Sequence, residues 1–170
     1  PRDGKARFGT MSERPVRELR SLQVALGYEF EEPALLRRAL THPSYVNENP
    51  GEERDNQRLE FLGDAVIDFV AAAWVYRTFT RFAEGRMTRL RAALVRTETL
   101  ARLARDVGIG EALLLGHGEE EAGGRFRKPN LCDAFEAVVG AIYLDGGMEA
   151  AREFVEPLLR PVAEATLARA

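Results

Sequence analysis

The sequence predicts an all-α domain. Apolar residues recur three and four apart along most of the chain, and prolines and glycines fall where helices begin and end. No stretch alternates long enough to sustain a strand. Taken in order, residues 16–26 have helical spacing and stop at Gly27. Pro33 opens a second helix over 33–40, which Pro43 closes. Residues 48–55, with Pro50 and Gly51, read as a polar turn. A long helix follows over 56–79, then helices over 84–95 and 98–107, the latter stopped by Gly108. Residues 116–130 read as a glycine-rich loop around Glu119-Glu120-Glu121, ending in the basic stretch Arg125-Phe126-Arg127-Lys128. That stretch either lies solvated or touches phosphate. Residues 131–144 are helix again, turned at Gly146 and Gly147 before a last helix over 149–159.

With 170 residues, 45% hydrophobic and 30% charged, the chain suits one globular domain with a sizeable core. No apolar run approaches the roughly 20 residues of a membrane span, and no secretory leader is visible. The single cysteine, Cys132, can form no internal disulfide and no thiolate metal site by itself. A reducing, cytoplasmic setting without a membrane partner is therefore expected. The net charge of −3 argues against nucleic-acid binding on its face. Its distribution argues less, because six arginines but only one acid, Glu98, fall between Arg86 and Arg105. That stretch is either a solvated helix face or a surface for phosphate. Met11 follows a glycine- and arginine-containing opening, so 1–10 are expected to be a flexible leader or a cloning remnant and 11–170 the folded domain.

Four carboxylates stand out. On a helical wheel Leu59, Leu62, Val66, Phe69 and Val70 share one face of the long helix, with Gln57, Glu60, Asp64 and Asp68 opposite. Glu60 and Asp64, four apart, stack one turn above the other; Asp133 and Glu136, three apart, share a face of the later helix with Gly140. That helix is otherwise apolar, and a buried carboxylate is costly unless paired or bound to metal. If the two acidic faces meet, carboxylates about 4 Å apart repel by roughly 4 kcal/mol at an effective dielectric of about 20. Either each pair faces solvent or a basic partner, or a cation holds the four together. With two histidines and one cysteine, zinc or copper has too few ligands, whereas an all-oxygen set suits Mg²⁺. Mg²⁺ held by clustered acids serves phosphoryl chemistry.

The stretch Asn56-Gln57-Arg58-Leu59-Glu60-Phe61-Leu62-Gly63-Asp64-Ala65-Val66 resembles the signature of the ribonuclease III family. Thr41-His42-Pro43-Ser44-Tyr45 resembles the segment ahead of that signature, and Glu84-Gly85 leads into a similar basic helix. Leu115-Gly116-His117-Gly118-Glu119 through Gly123-Gly124 is similar to the family's glycine-rich loop, and Asp133-Ala134-Phe135-Glu136-Ala137 to its second acidic motif. The pieces keep the family's order over residues 19–159.

The resemblance implies the helical ribonuclease III endonuclease fold and a symmetric homodimer holding double-stranded RNA. It implies Mg²⁺, with Mn²⁺ as a substitute, at Glu60, Asp64, Asp133 and Glu136, of which Asp64 and Glu136 are the catalytic pair. Hydrolysis would leave a 5′-phosphate, a 3′-hydroxyl and short 3′ overhangs, in the processing of ribosomal, messenger and other structured RNAs. Phe61 matches an interface aromatic, with core packing as its alternative. Glu84 matches a supporting acid near the cutting site, with a helix-starting role as its alternative. Gln57 stands where relatives carry an acid, which leaves any electrostatic role there open. Asp68 matches no catalytic position. Thr88, Arg89 and Arg91 are expected to flank the RNA. His42 is expected at a helix end and His117 in a loop. No match to the family's C-terminal double-stranded-RNA-binding domain follows Leu159, which implies weak, salt-sensitive RNA binding. A non-catalytic RNA scaffold and a small-nucleotide hydrolase remain as rivals.

Overall fold

The computed structural model describes residues 13–52 and 54–169, so the expected leader lies outside the described residues. The order is α1 (Glu13–Leu26), α2 (Pro33–Ala39), α3 (Pro43–Glu48), α4 (Gln57–Thr78), α5 (Glu84–Val95), α6 (Thr97–Asp106), α7 (Ile109–Ala112), α8 (His117–Glu121), a 3₁₀ turn (Gly124–Phe126) and α9 (Lys128–Ala168). The expectation of an all-α fold holds. Among the described residues the single extended pairing is a bridge between Thr41 and Leu114. No helix among them is long and apolar enough to cross a membrane.

The core is organised around α9. Its first arm is apolar on nearly every side, and Leu131, Phe135, Val138, Val139 and Ile142 are fully buried. Helix α4 packs along it most extensively, α6 next, with α2 and α5 closing the remaining sides. Gly147 breaks α9 with φ 83° and ψ −176°, a conformation L side chains rarely adopt. An Arg77–Glu156 ion pair then ties the end of α4 to the second arm.

Beyond shifts of one to three residues at helix ends, three features differ from expectation. Pro43 does not merely close α2; it opens α3, with His42 as the extended N-cap whose Nδ1 accepts from the Ser44 N–H at 3.1 Å. The loop over 116–130 contains α8, whose first N–H, that of His117, donates to Glu48 Oε2 on α3 at 2.5 Å. That partner lies 69 residues away, so local sequence carries no trace of it. The last helix continues to Ala168 through Pro157 and Pro161. The expected helix already runs through Pro157 but ends at Leu159, short of Pro161; a proline deletes a helical hydrogen bond, and burial of Val155, Leu159, Val162 and Ala163 outweighs that cost.

Candidate metal centre

The entry of α4 is fixed before its acids begin. Buried Asn56 donates its side-chain amide to the Ala39 carbonyl at 3.2 Å, and its N–H to the Thr41 carbonyl at 2.9 Å. The Glu60 N–H then closes the first turn on the Asn56 carbonyl. Further along, α4 and α9 touch backbone to backbone. A Cβ placed on Gly63 would lie 1.6 Å from the Glu136 carbonyl oxygen, and one on Gly140 would lie 2.4 Å from that of Leu59. Two glycines facing each other thus let the helices approach closely, and the two acid pairs flank the contact.

Glu60, Asp64, Asp133 and Glu136 form one electrostatic cluster. Burial, then the charges of Asp64, Glu60 and Asp133, push Glu136 from an ordinary 4.5 up to about 8. Glu60 is raised by burial and then by Asp133, Asp64 and Asp55. Asp133 is raised by burial, against the opposing influence of His42. Glu136 is only 9% exposed, while Asp64 faces solvent at the mouth. Among the described residues no lysine or arginine pairs with any of the four. The alternative in which each pair meets a basic partner therefore fails. A deeply buried carboxylate with no lysine or arginine counter-charge among the described residues, grouped with other carboxylates and one thiol, fits a site for a divalent cation.

The other candidates lie elsewhere. Gln57 is exposed at the first position of α4, its N–H donating to Asp55 Oδ1 at 3.0 Å. Glu84 opens α5, accepts from Thr88 Oγ1 at 2.8 Å, and lines a groove with Phe69, Tyr76 and Arg91, away from the four acids. Phe61 is 82% exposed, so core packing is not its role; Phe69 and Tyr76 are exposed on the same helix. The wheel reading put Phe69 on the buried face. In the structure that face is centred instead on Gly63, Ile67 and Trp74, because small residues carry little hydrophobic weight yet permit the closest approach. Asp68 lies 3.7 Å from Arg91. His117, exposed, pairs with Glu121 at 3.1 Å. Arg125 and Arg127 are occupied internally, Arg125 by the carbonyls of Gly110, Glu111 and Leu113, and Arg127 by Glu119.

Sequence reasoning missed Cys132 and His42 as neighbours of the site. Cys132 Sγ lies within 4.8 Å of carboxylate oxygens of both Asp133 and Glu136. Burial, then Glu136 and Asp133, push its thiol up to about 12, against a hydrogen bond with Thr97. The spacing 132, 133, 136 on one helix was available as a signal, but the thiol's lack of a cysteine partner hid it.

A Ribonuclease-III-like family model matches residues 32–162. Ribonuclease 3 of Nitrosococcus oceani is 55% identical over 135 residues, 79% of this chain and 55% of the relative. Ribonuclease 3 of Symbiobacterium thermophilum is 52% identical over 141 residues, 83% of this chain and 59% of the relative. The chain thus spans little more than half the length of these relatives. Among solved structures, the nuclease domain of ribonuclease III from Campylobacter jejuni superposes with a TM-score of 0.78 at 38% identity, covering 84% of this chain and 96% of that one. That domain is described with a region involved in dimer formation. Dicer from Pichia stipitis superposes with a TM-score of 0.58 at 26% identity, over 79% of this chain and 57% of its own.

Proposed function

Since this chain belongs to the ribonuclease-III-like family, we propose that it is the nuclease portion of a Mg²⁺-dependent endonuclease that hydrolyses double-stranded RNA. The observation that carries this reading is Glu136, a carboxylate 9% exposed, with no lysine or arginine partner among the described residues, and pushed up by burial and by the charges of Asp64, Glu60 and Asp133. Glu60, Asp64, Asp133 and Glu136 would hold the ion, with Mn²⁺ as a substitute, and Asp64 and Glu136 stand closest to the chemistry. When bound, the ion would activate water and neutralise charge on the leaving oxygen. The chain's own part is to keep the four acids converged and to leave Asp64 open to the phosphate. Arg89, exposed on α5, offers phosphate contact, in keeping with A-form duplexes being read by shape and backbone. Gln57 and Glu84 are supporting positions whose side chains reach solvent.

The active unit is a homodimer in this reading. Phe61, Phe69 and Tyr76 form an exposed aromatic stripe on α4, and an apolar patch of that kind marks an interaction surface. Each subunit would cut one strand, leaving a 5′-phosphate, a 3′-hydroxyl and a short 3′ overhang, in cytoplasmic processing of ribosomal, messenger and other structured RNA. The test is incubation with long duplex RNA and Mg²⁺, with and without a chelator, beside the Glu136→Gln variant. Wild-type protein should release size-defined duplex fragments only with the metal. The variant should keep fold and RNA binding and lose cleavage, because a neutral amide is a poor ligand. No cutting by a verified dimer would leave an RNA scaffold; mononucleotide release would indicate a small-nucleotide hydrolase.

A further inference from the structure

The turn joining α4 to α5 carries a ladder of aromatic rings. Buried Trp74 meets Phe79 edge to face, with ring centres 5.7 Å apart at 88°, and Phe79 stacks on Phe82 at 4.8 Å and 19°. The Phe82 N–H donates to the Phe79 carbonyl at 2.9 Å, which closes the turn and keeps the two rings in register. Arg86, in the first turn of α5, completes the ladder: its guanidinium carbon lies 3.8 Å from the Phe82 ring centre. We propose that Arg86, held on this stack, and Arg89 form a phosphate-binding site that grips the backbone of duplex RNA away from the bond that is cut. This inference rests on the double-stranded RNA reading and adds to it the place where the duplex is held.

The neighbouring charges leave these two arginines for a ligand. Arg77 pairs with Glu156, and Arg91 lies 3.7 Å from Asp68. Glu84, the one acid between Arg77 and Arg91 in sequence, accepts from Thr88 Oγ1 at 2.8 Å. Arg86 and Arg89 are exposed, and among the described residues neither forms an ion pair. Arg89 brings a second geometric observation. Its Nη1 lies 3.6 Å from where a Cβ on Gly85 would stand, so its guanidinium folds back over the turn that carries Arg86. Residues three apart share a helix face, and two guanidiniums there offer forked N–H donors that match phosphate oxygens. The ladder adds preorganisation: an arginine gives up rotamer freedom when it grips a ligand, and one already stacked has given up part of it beforehand. Trp74 is 4% exposed, so the ladder is footed in the core. Glu84, two residues before Arg86, faces a groove away from the four acids. The contact therefore bears on affinity and register, not on bond breaking.

Labelled duplex RNA is titrated with the protein and followed by fluorescence anisotropy over a range of salt concentrations. The titration is run in chelator and again with Mg²⁺ on the Glu136→Gln background, where no cut is expected. Arg86→Ala should weaken binding at least about fivefold, and log affinity plotted against log salt should be about one unit shallower. Arg86→Lys keeps the charge but not the planar fork, so the slope should stay near wild type while affinity falls at least about twofold. Phe82→Leu, which leaves Arg86 without its ring, should behave like Arg86→Lys. Arg160→Ala, at an exposed arginine on the second arm of α9, is the control and should leave affinity and slope unchanged. Single-turnover cleavage by Arg86→Ala at saturating RNA should keep the wild-type rate. A slope unchanged in Arg86→Ala, an equal loss in Arg160→Ala, or a slowed cut at saturation overturns the proposal. If Phe82→Leu or Arg86→Ala loses the wild-type circular dichroism, Arg86→Lys decides: affinity equal to wild type overturns the proposal. The two readings fail separately. Metal-dependent cleavage of duplex RNA with an unchanged slope sinks only this inference, whereas wild-type protein that neither binds nor cuts duplex RNA sinks the nuclease reading and this inference with it.

Discussion

Two acidic regions of this molecule behave in opposite ways. In α8 three consecutive glutamates look, in the sequence, like its most negative point. Each is answered. Glu119 accepts from Arg127 and Asn130 at 2.8 and 2.9 Å, Glu120 from Arg125 Nε at 2.9 Å, and Glu121 sits 3.1 Å from His117. The hydrogen bond from Arg125 holds Glu120 below its usual range. At the α4–α9 contact the acids are more dispersed in sequence but influence one another without a lysine or arginine partner among the described residues, and Glu136 rises to about 8. Even on α9 itself Asp145 contrasts: burial pushes it up, yet the Tyr28 hydroxyl and the Glu32 and Glu31 N–H groups outweigh burial and hold it low. The difference teaches that acid density is a poor pointer to a site. The informative quantity is charge left uncompensated after folding.

The largest effect should come from removing the contact that brings the unanswered acids together. Gly63→Ala sets a Cβ against the backbone oxygen of Glu136, which cannot swing away. The cost should exceed the ordinary overpacking range of about 1–3 kcal/mol, read as a drop in the urea midpoint. A loss under about 1 kcal/mol would mean that the glycine contact does not set the spacing.

Next comes the pH response of metal-free protein. The folded pKa of Glu136 is raised above its unfolded value, so the native state binds more protons than the unfolded state between about 4.5 and 8. Stability is therefore greatest below about pH 4.5 as far as this group is concerned, and falls as pH rises through about 8. Its share is roughly 2–3 kcal/mol, discounted from about 1.4 kcal/mol per unit because the acids share the repulsion. Glu136→Gln should flatten this part of the profile, and saturating Mg²⁺ should oppose the fall. Urea unfolding at a series of pH values checks it, and a wild-type profile that rises over this window would reverse the assignment.

The smallest effect belongs to the compensated region. Arg125→Ala frees three carbonyls, of Gly110, Glu111 and Leu113, and leaves Glu120 unpaired. It should cost about 1–2 kcal/mol, most of it as lost hydrogen bonding. Added Mg²⁺ should not restore it, since these acids lie outside the proposed metal site. Metal-dependent recovery would erase the distinction between the two regions.

Most of the helices were legible from spacing and punctuation: α5 has the expected bounds, and α4 differs by one residue at each end. Long-range causes were not legible. Glu48 capping α8, or hydrophobic burial carrying α9 past two prolines, depends on residues distant in sequence or on packing. The convergence of the two acid pairs could be posed from periodicity but not decided, because the deciding partner, Gly63, has no side chain to weigh. Phe69 misled for the complementary reason: hydrophobicity says that a ring seeks cover, not that this chain supplies it. Cys132 was dismissed by counting cysteines, whereas its neighbours are carboxylates.

The seam of Gly63 and Gly140 bears on how the molecule fails. Where ligands are spaced by interlocking side chains, warming loosens them by degrees and binding geometry blurs before the fold is lost. Here the main chains of two long helices set the spacing, and their amides near the seam can reach solvent only when the helices part. Site and fold therefore share one opening event. Heat should leave the acids converged until it abolishes the helix pair altogether, with no warm, folded, misaligned state between.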